Sequence, residues 1–151
     1  MYTKAELKKL IDEVLKGIGK HSPDASNLIQ GIIAQESRMG KYRRQLGGGP
    51  ALGICQIEPN TFNDLINYIK KDIQLYFKIL KTCKISSFDP IDLISNDKLS
   101  ICMCRVFFLR FKEKLPSTIG GYAKEWKVRY NTKYGKGTVE EFIKNYKKYI
   151  L

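Results

Sequence analysis

Residues Gly31 to Asp64 read GIIAQESRMGKYRRQLGGGPALGICQIEPNTFND. The stretch opens on the apolar end of a helical pattern and meets a carboxylate, Glu36. A basic loop follows, carrying Arg38, Lys41, Arg43 and Arg44, and runs into Gly47-Gly48-Gly49-Pro50. Glycine and proline together break any regular element. The Gly-Lys-Ser/Thr ending of a phosphate loop is missing, while glycines at this point leave room for a ligand to approach the backbone closely. Ala51 to Ile57 is a short mixed run, compatible with a strand or an irregular turn. Asn60 or Thr61 is then expected to cap a new helix.

Working back from Glu36, Ser22-Pro23 is a helix start, a capping side chain followed by proline in the first turn. Leu28, Ile29, Ile32 and Ile33 recur at helical spacing, and the next position on that stripe is Glu36. A carboxylate there, near the helix C-terminus, is partly desolvated and feels the negative end of the helix dipole. Both effects raise its pKa, as a general acid near neutral pH requires. Periodicity alone is also compatible with a glutamate that turns to solvent at the helix end.

Most of the remaining chain reads as helix. Thr3-Lys4-Ala5-Glu6 fits a capping box, followed by Leu7, Leu10, Ile11, Val14, Leu15 and Ile18, with Gly17 and Gly19 as the stop. Downstream of Asn60, the stripe Phe62, Leu65, Ile66, Ile69 is continued, with room for a break, by Ile73, Tyr76, Phe77 and Leu80. Lys84 to Pro90 reads as loop. Ser95 or Asn96 starts a helix through Leu99, Met103, Val106 and Phe107 that is apolar on most sides, hence the central buried one. Ile119, Tyr122, Ala123, Trp126 and Tyr130 mark another helix, in which the phase of Trp126 favours the core over sugar stacking. Thr138-Val139-Glu140-Glu141 fits a second capping box before Phe142, Ile143, Tyr146 and Ile150. The expected class is all-α with at most a very small β element.

The 151 residues suit one domain spanning the whole chain, 1–151. No apolar run reaches the about 18 residues that a membrane span needs. The N-terminus lacks the apolar core of a signal peptide, so residence in the cytoplasm of the producing cell is expected. The 27 Lys+Arg against 15 Asp+Glu give a net charge of +12. That field favours anionic partners without choosing among them, and no recognition-helix or RNP-like motif points to specific nucleic-acid binding. Cys55, Cys83, Cys102 and Cys104 form no pair of CxxC motifs, and the one histidine, His21, lies far from them in sequence. Zinc ligation is not expected; nor is any other metal or cofactor, or a disulfide. Cys102 and Cys104 read as buried thiols, and His21 as a surface loop residue.

Taken together, Ile32-Ile33-Ala34-Gln35-Glu36-Ser37 and Ala51-Leu52-Gly53-Ile54-Cys55-Gln56-Ile57-Glu58-Pro59-Asn60-Thr61 resemble the catalytic domain of soluble lytic transglycosylases and goose-type lysozymes. That family's pattern is an apolar helix ending in Glu-Ser, a loop, Gly-Ala-x-Gly-x-x-Gln-x-x-Pro-x-Thr, and later Ala-x-x-Tyr-Asn. Val128-Arg129-Tyr130-Asn131 stands for the last piece, so order and rough spacing match from about residue 28 to 131. The form Gly-Gly-Gly-Pro-Ala-Leu-Gly, Cys102 to Val106, and the segment from Trp126 to Thr138 look like a phage-encoded branch of this lysozyme-like superfamily.

The resemblance implies a lysozyme-like domain that cleaves the β-1,4 bond between N-acetylmuramic acid and N-acetylglucosamine in peptidoglycan glycan strands. Glu36 would be the general acid and base. Ser37 and Gln56 would orient the substrate, and Tyr130 and Asn131 would line the cleft opposite the acid, with the Tyr130 hydroxyl in reach of Glu36. Anhydro-forming transglycosylase chemistry needs no second carboxylate. In hydrolysis one activates water, in inverting enzymes roughly 6.5–9.5 Å from the acid, with Glu58 and Asp64 as the candidates. Glu58 replaces the family's usual apolar residue before proline. A hydrolytic endolysin and a catalytically silent virion protein are the alternatives. Action at the bacterial wall without a signal peptide implies release through a holin pore or packaging with other virion proteins.

Overall fold

The computed structural model describes residues 1–151. The periodicities resolve into seven α-helices: α1 Lys4–Gly17, α2 Pro23–Ser37, α3 Pro59–Ile69, α4 Ile73–Cys83, α5 Asp97–Leu109, α6 Ile119–Glu125 and α7 Val139–Tyr149. A 3₁₀ turn, Pro90–Ile94, precedes α5, and a π-helical turn, Trp126–Asn131, continues α6. The only β pairing is two isolated bridges, Arg44 with Leu52 and Leu52 with Ile57. The protein is all-α.

Local chemistry sets most boundaries. Thr3 and Glu6 exchange the two bonds of a capping box at the start of α1, which satisfies two backbone donors that a bare helix end leaves open. Ser22 caps α2 by accepting from the Ala25 N–H at 3.0 Å. Asn96, one of the two candidates, caps α5 by accepting from Leu99. At α3 the expectation fails: the helix begins at Pro59, with Glu58 in the cap position and making no side-chain cap bond. Proline's fixed φ is already helical and its missing N–H is not needed in a first turn, so the helix starts before Asn60. At α7 only half of the expected capping box forms. Thr138 accepts from the Glu141 N–H at 3.1 Å, but the Glu141 side chain lines the cleft described below.

A contiguous core of 37 buried residues draws on all seven helices. Helix α5 runs through it, buried from Leu99 to Cys104 and again at Val106 to Phe108, and packs on α1, α2, α3 and α4. Helix α2 packs on α7 at Gly31, where an added Cβ would lie 2.5 Å from Phe142 and 2.8 Å from Tyr146. The stripe proposed for α4 is rotated. The buried residues are Leu75, Ile79 and Cys83, while Ile73 and Phe77 are 59% and 58% exposed. Lys70 to Asp72 breaks the chain between α3 and α4, so the phase carried over from Phe62 and Ile69 no longer applies beyond it.

The segment from Arg43 to Ile57 is an irregular turn rather than a strand. Leu52 and Ile57 exchange both backbone bonds at 3.0 Å, and the Gly53 N–H donates to Arg43 at 2.7 Å. Gly53 sits at φ +78, and a Cβ there would fall 2.3 Å from the Leu93 carbonyl. Only glycine fits that conformation and that approach. Arg43 ties the same turn to α5 through Asp97 and the Ile94 carbonyl, and Tyr2 joins it by donating to Asp97.

Candidate active site

The apolar stripe of α2 leads to Glu36 as the helix surfaces. Leu28, Ile29, Ile32 and Ile33 are buried, and Glu36 follows at intermediate exposure, in the wall of a cleft of about 950 Å³. That volume is at the upper end of the roughly 300–1,000 Å³ typical of ligand pockets. The indole Nε1–H of Trp126 donates to Glu36 Oε1 at 2.9 Å. No lysine, arginine or histidine pairs with this carboxylate. Burial pushes the Glu36 carboxyl up to about 7, opposed in part by the indole hydrogen bond, which favours the charged form. Glu36 is therefore a carboxyl that still holds its proton near neutrality while facing a cleft.

Trp126 is the residue that sequence reasoning undervalued. It is 1% exposed and its ring lies 5.4 Å from that of Phe142, so the core assignment holds. A buried indole, however, still needs an acceptor for its N–H, and here that acceptor is Glu36. The spacing of Tyr122, Trp126 and Tyr130, four residues apart, puts the ring on the inward face; the unmet N–H was the available signal.

Tyr130 and Asn131 both line the cleft. Tyr130 does not hold Glu36. Its hydroxyl donates to the Cys55 carbonyl, and its ring packs on Phe107 and Phe108 at 4.9 and 5.9 Å. Burial pushes its phenol well up, so it remains a donor, and it fastens the π turn to the Gly53–Ile57 turn across the cleft floor. Asn131 Oδ1 accepts from Lys127 Nζ at 2.7 Å, and the same ammonium donates to the carbonyls of Gly135 and Gly137 at 3.1 and 2.6 Å. Lys127 thus pins the loop between Asn131 and Thr138, from which Tyr134, 85% exposed, and Lys136 reach the cleft.

Gln56 lines the cleft with its backbone at φ +52 and its amide nitrogen donating to the Gly53 carbonyl at 2.9 Å. Ser37 departs from expectation: it is fully buried and does not line the cleft. Its hydroxyl donates to the Ile33 carbonyl at 3.1 Å and accepts from the Gly40 N–H at 2.9 Å. Both bonds close the turn in which Arg38 and Met39 adopt positive φ, so Ser37 shapes the end of α2 rather than touching a ligand.

Of the two second-carboxylate candidates, Glu58 lines the cleft and Asp64 does not; both are exposed. Glu141 is a further exposed carboxylate at the cleft, which the capping-box reading of α7 had assigned to the helix end. Arg44, Arg129 and Lys136 stand at the same cleft, so its charge is mixed. Arg129 is engaged by Glu113 and Glu125, each at 3.1 Å.

No three His, Cys, Asp or Glu side chains gather in a metal-binding arrangement. All four cysteines are buried free thiols, with Cys83 and Cys102 Sγ atoms 3.6 Å apart. His21 is half-buried and its Nε2 lies 3.0 Å from Asp12 Oδ1, away from the cleft. No helix is long and apolar enough to cross a membrane. Comparison with known proteins gave no match to a family model, a curated protein or a solved structure.

Proposed function

We propose that the protein is a peptidoglycan-cleaving enzyme of lysozyme-like fold, which cuts the β-1,4 bond between N-acetylmuramic acid and N-acetylglucosamine with Glu36 as general acid and base. The observation that carries this reading is one carboxyl raised to about 7 by burial in the wall of an open cleft of about 950 Å³, with no cation beside it. A glycosidic oxygen is a weak base and a poor leaving group. A protonated carboxyl beside it donates as the bond to C1 breaks, and a carboxyl that keeps its proton near pH 7 does so under ordinary conditions.

We favour the anhydro-forming course, since neither Glu58 nor Asp64 stands at a catalytic position of the pattern that the chain resembles. Glu36 gives its proton to the glycosidic oxygen, and the C1–O bond breaks with positive charge building at C1. The resulting carboxylate, still held by Trp126, takes the proton of the muramoyl 6-hydroxyl. The O6–C1 bond then closes the 1,6-anhydro ring and Glu36 is left protonated, so water is not consumed. Gln56 and Asn131, as polar groups of the cleft, orient the sugar amides; Tyr130 holds the floor. The presence of Glu58 in the same cleft favours one second reading, hydrolysis with that carboxylate activating water.

The source of the substrate follows from the resemblance to a phage-encoded branch. The enzyme is made in a host cytoplasm and reaches the wall through a membrane pore or with the virion. Digestion of purified cell wall tests the chemistry. Wild type is expected to release muropeptides two hydrogens and one oxygen lighter than hydrolysis products, and Glu36→Gln to release none. Hydrated products refute the anhydro course, and equal release by both proteins removes Glu36 from the chemistry.

A further inference from the structure

Away from the cleft, α4 presents an uncovered face. Ile73 and Phe77 are one turn apart and are 59% and 58% exposed, while Leu75, Ile79 and Cys83 on the other faces of the helix are buried. A single exposed apolar side chain carries no message, but two large ones on one helical face form a patch. The patch has a basic collar. Lys70, Lys71, Lys81 and Lys84, all exposed, flank it along the chain, and none is in an ion pair. Helical spacing puts Lys81 on the side of Phe77, and Lys84 follows the last turn of the helix. The one acid of the stretch, Asp72, accepts from the Leu75 N–H at 3.1 Å and caps the helix.

We infer that α4 docks the protein on an anionic phospholipid bilayer, with Ile73 and Phe77 entering the acyl boundary and the lysines meeting the headgroups. Two features select this occupant. Apart from the helix-capping Asp72, the flanking charges are cationic, so the partner surface is negative. At its centre lie an isoleucine and a phenylalanine, which a soluble polyanion cannot cover but hydrocarbon beneath a charged layer can. The helix is far too short to span, so the contact is peripheral. Helix α4 packs on α1, α3 and α5 and contributes no residue to the cleft, so a docked molecule keeps its cleft open. The inference stands whether or not the proposed chemistry does.

Sedimentation with vesicles tests it. Wild type is expected to bind vesicles of phosphatidylcholine with phosphatidylglycerol and to leave those of phosphatidylcholine alone. Ile73→Ser with Phe77→Ser should lower partitioning by at least about tenfold, and Lys81→Gln or Lys84→Gln about fivefold each. Lys144→Gln with Lys147→Gln and Lys148→Gln, on exposed positions of α7, removes at least as much charge elsewhere and should change binding less than Lys81→Gln with Lys84→Gln. In a separate variant, Phe77→Trp, indole emission should shift to the blue on mixed vesicles, since Trp126 is already buried. Unchanged binding of the serine variant, equal loss from the α7 lysines or an unshifted emission of the Phe77→Trp variant would show only the pull of a +12 chain and overturn the inference. A wild-type dimer in lipid-free solution that the serine variant abolishes would overturn it too, in favour of a second copy.

Discussion

Replacing Glu36 with glutamine is expected to stabilise the protein above neutrality and to leave its stability unchanged in acid. The native carboxyl titrates at about 7, against 4.5 for an unperturbed one. The folded protein therefore holds this proton more tightly than the unfolded chain. The stability that Glu36 contributes through its proton is complete below about pH 4.5, declines as the unfolded chain deprotonates, and is gone once the pH passes the native value near 7. A gap of about 2.5 pH units, at about 1.36 kcal/mol each, makes the loss about 3 kcal/mol. Glutamine keeps the shape and an oxygen for the Trp126 N–H but has no charge to desolvate, so the variant escapes the loss. For a chain of this size about 3 kcal/mol moves Tm by roughly 6–12 °C. Thermal melts of both proteins followed by circular dichroism across the acid-to-alkaline range check this. The two should coincide near pH 4, diverge up to about pH 7 and stay a constant distance apart beyond it. Melting temperatures that track each other at every pH, or diverge only below about pH 4, would mean that Glu36 is an ordinary solvated carboxylate and would sink the acid assignment.

Trp126→Phe removes the one hydrogen bond that favours the charged form of Glu36. A bond to a charged group exceeds one to a neutral group by about 1 kcal/mol, so the alkaline limb of the pH–activity profile should rise by about one pH unit. The carboxyl carbon resonance of Glu36, followed by NMR, should titrate at the same raised value, and a fall in either would contradict the arrangement. Gly31→Ala gains about 1 kcal/mol of helix propensity but forces α2 off Phe142 and Tyr146, at about 1–3 kcal/mol. A lower urea midpoint is expected, and a higher one would show that α2 and α7 do not approach so closely. Glu58→Gln should leave the rate of wall digestion within a few-fold of wild type if the reaction forms the anhydro ring; a hundredfold loss with hydrated products would make Glu58 the base of a hydrolase.

The helices were legible because each rests on local chemistry. Thr3 with Glu6, and Ser22 before Pro23, are backbone-capping devices that work within one turn, so a sequence displays them whole. The errors fall where a neighbour in space decides. The break at Lys70–Asp72 reset the helical phase, and a stripe extended through it put Ile73 and Phe77 on the wrong side of α4. Glu141 stands at the right spacing for a capping box, yet its side chain is at the cleft. Nothing within four residues of it shows that a cleft is there.

The candidate site was legible as to its buried carboxyl and not as to what holds that carboxyl. Helical phase was enough to carry Glu36 to the edge of the core, since that is a property of α2 alone. Its partner comes from a turn with five-residue spacing, and such a turn has no signature in composition. Core or cleft was also a false choice for Trp126, because an indole places its ring in one and its N–H at the other. Ser37 shows the reverse error. A family position suggested a ligand contact, whereas a hydroxyl at a helix end finds the carbonyl four residues back, here that of Ile33. What keeps the Glu36 proton in place is, finally, where the positive charge is not. In a chain with 27 lysines and arginines, burial raises the pKa of this carboxyl and the indole hydrogen bond alone opposes it. Arg129, which lines the same cleft, is committed to Glu113 and Glu125. An arginine freed from those partners and brought against Glu36 would favour the carboxylate and lower its pKa. The ion pairs of Arg129 thus bear on Glu36 by holding one cation of the cleft in another place, an arrangement that no count of charges in the sequence reveals.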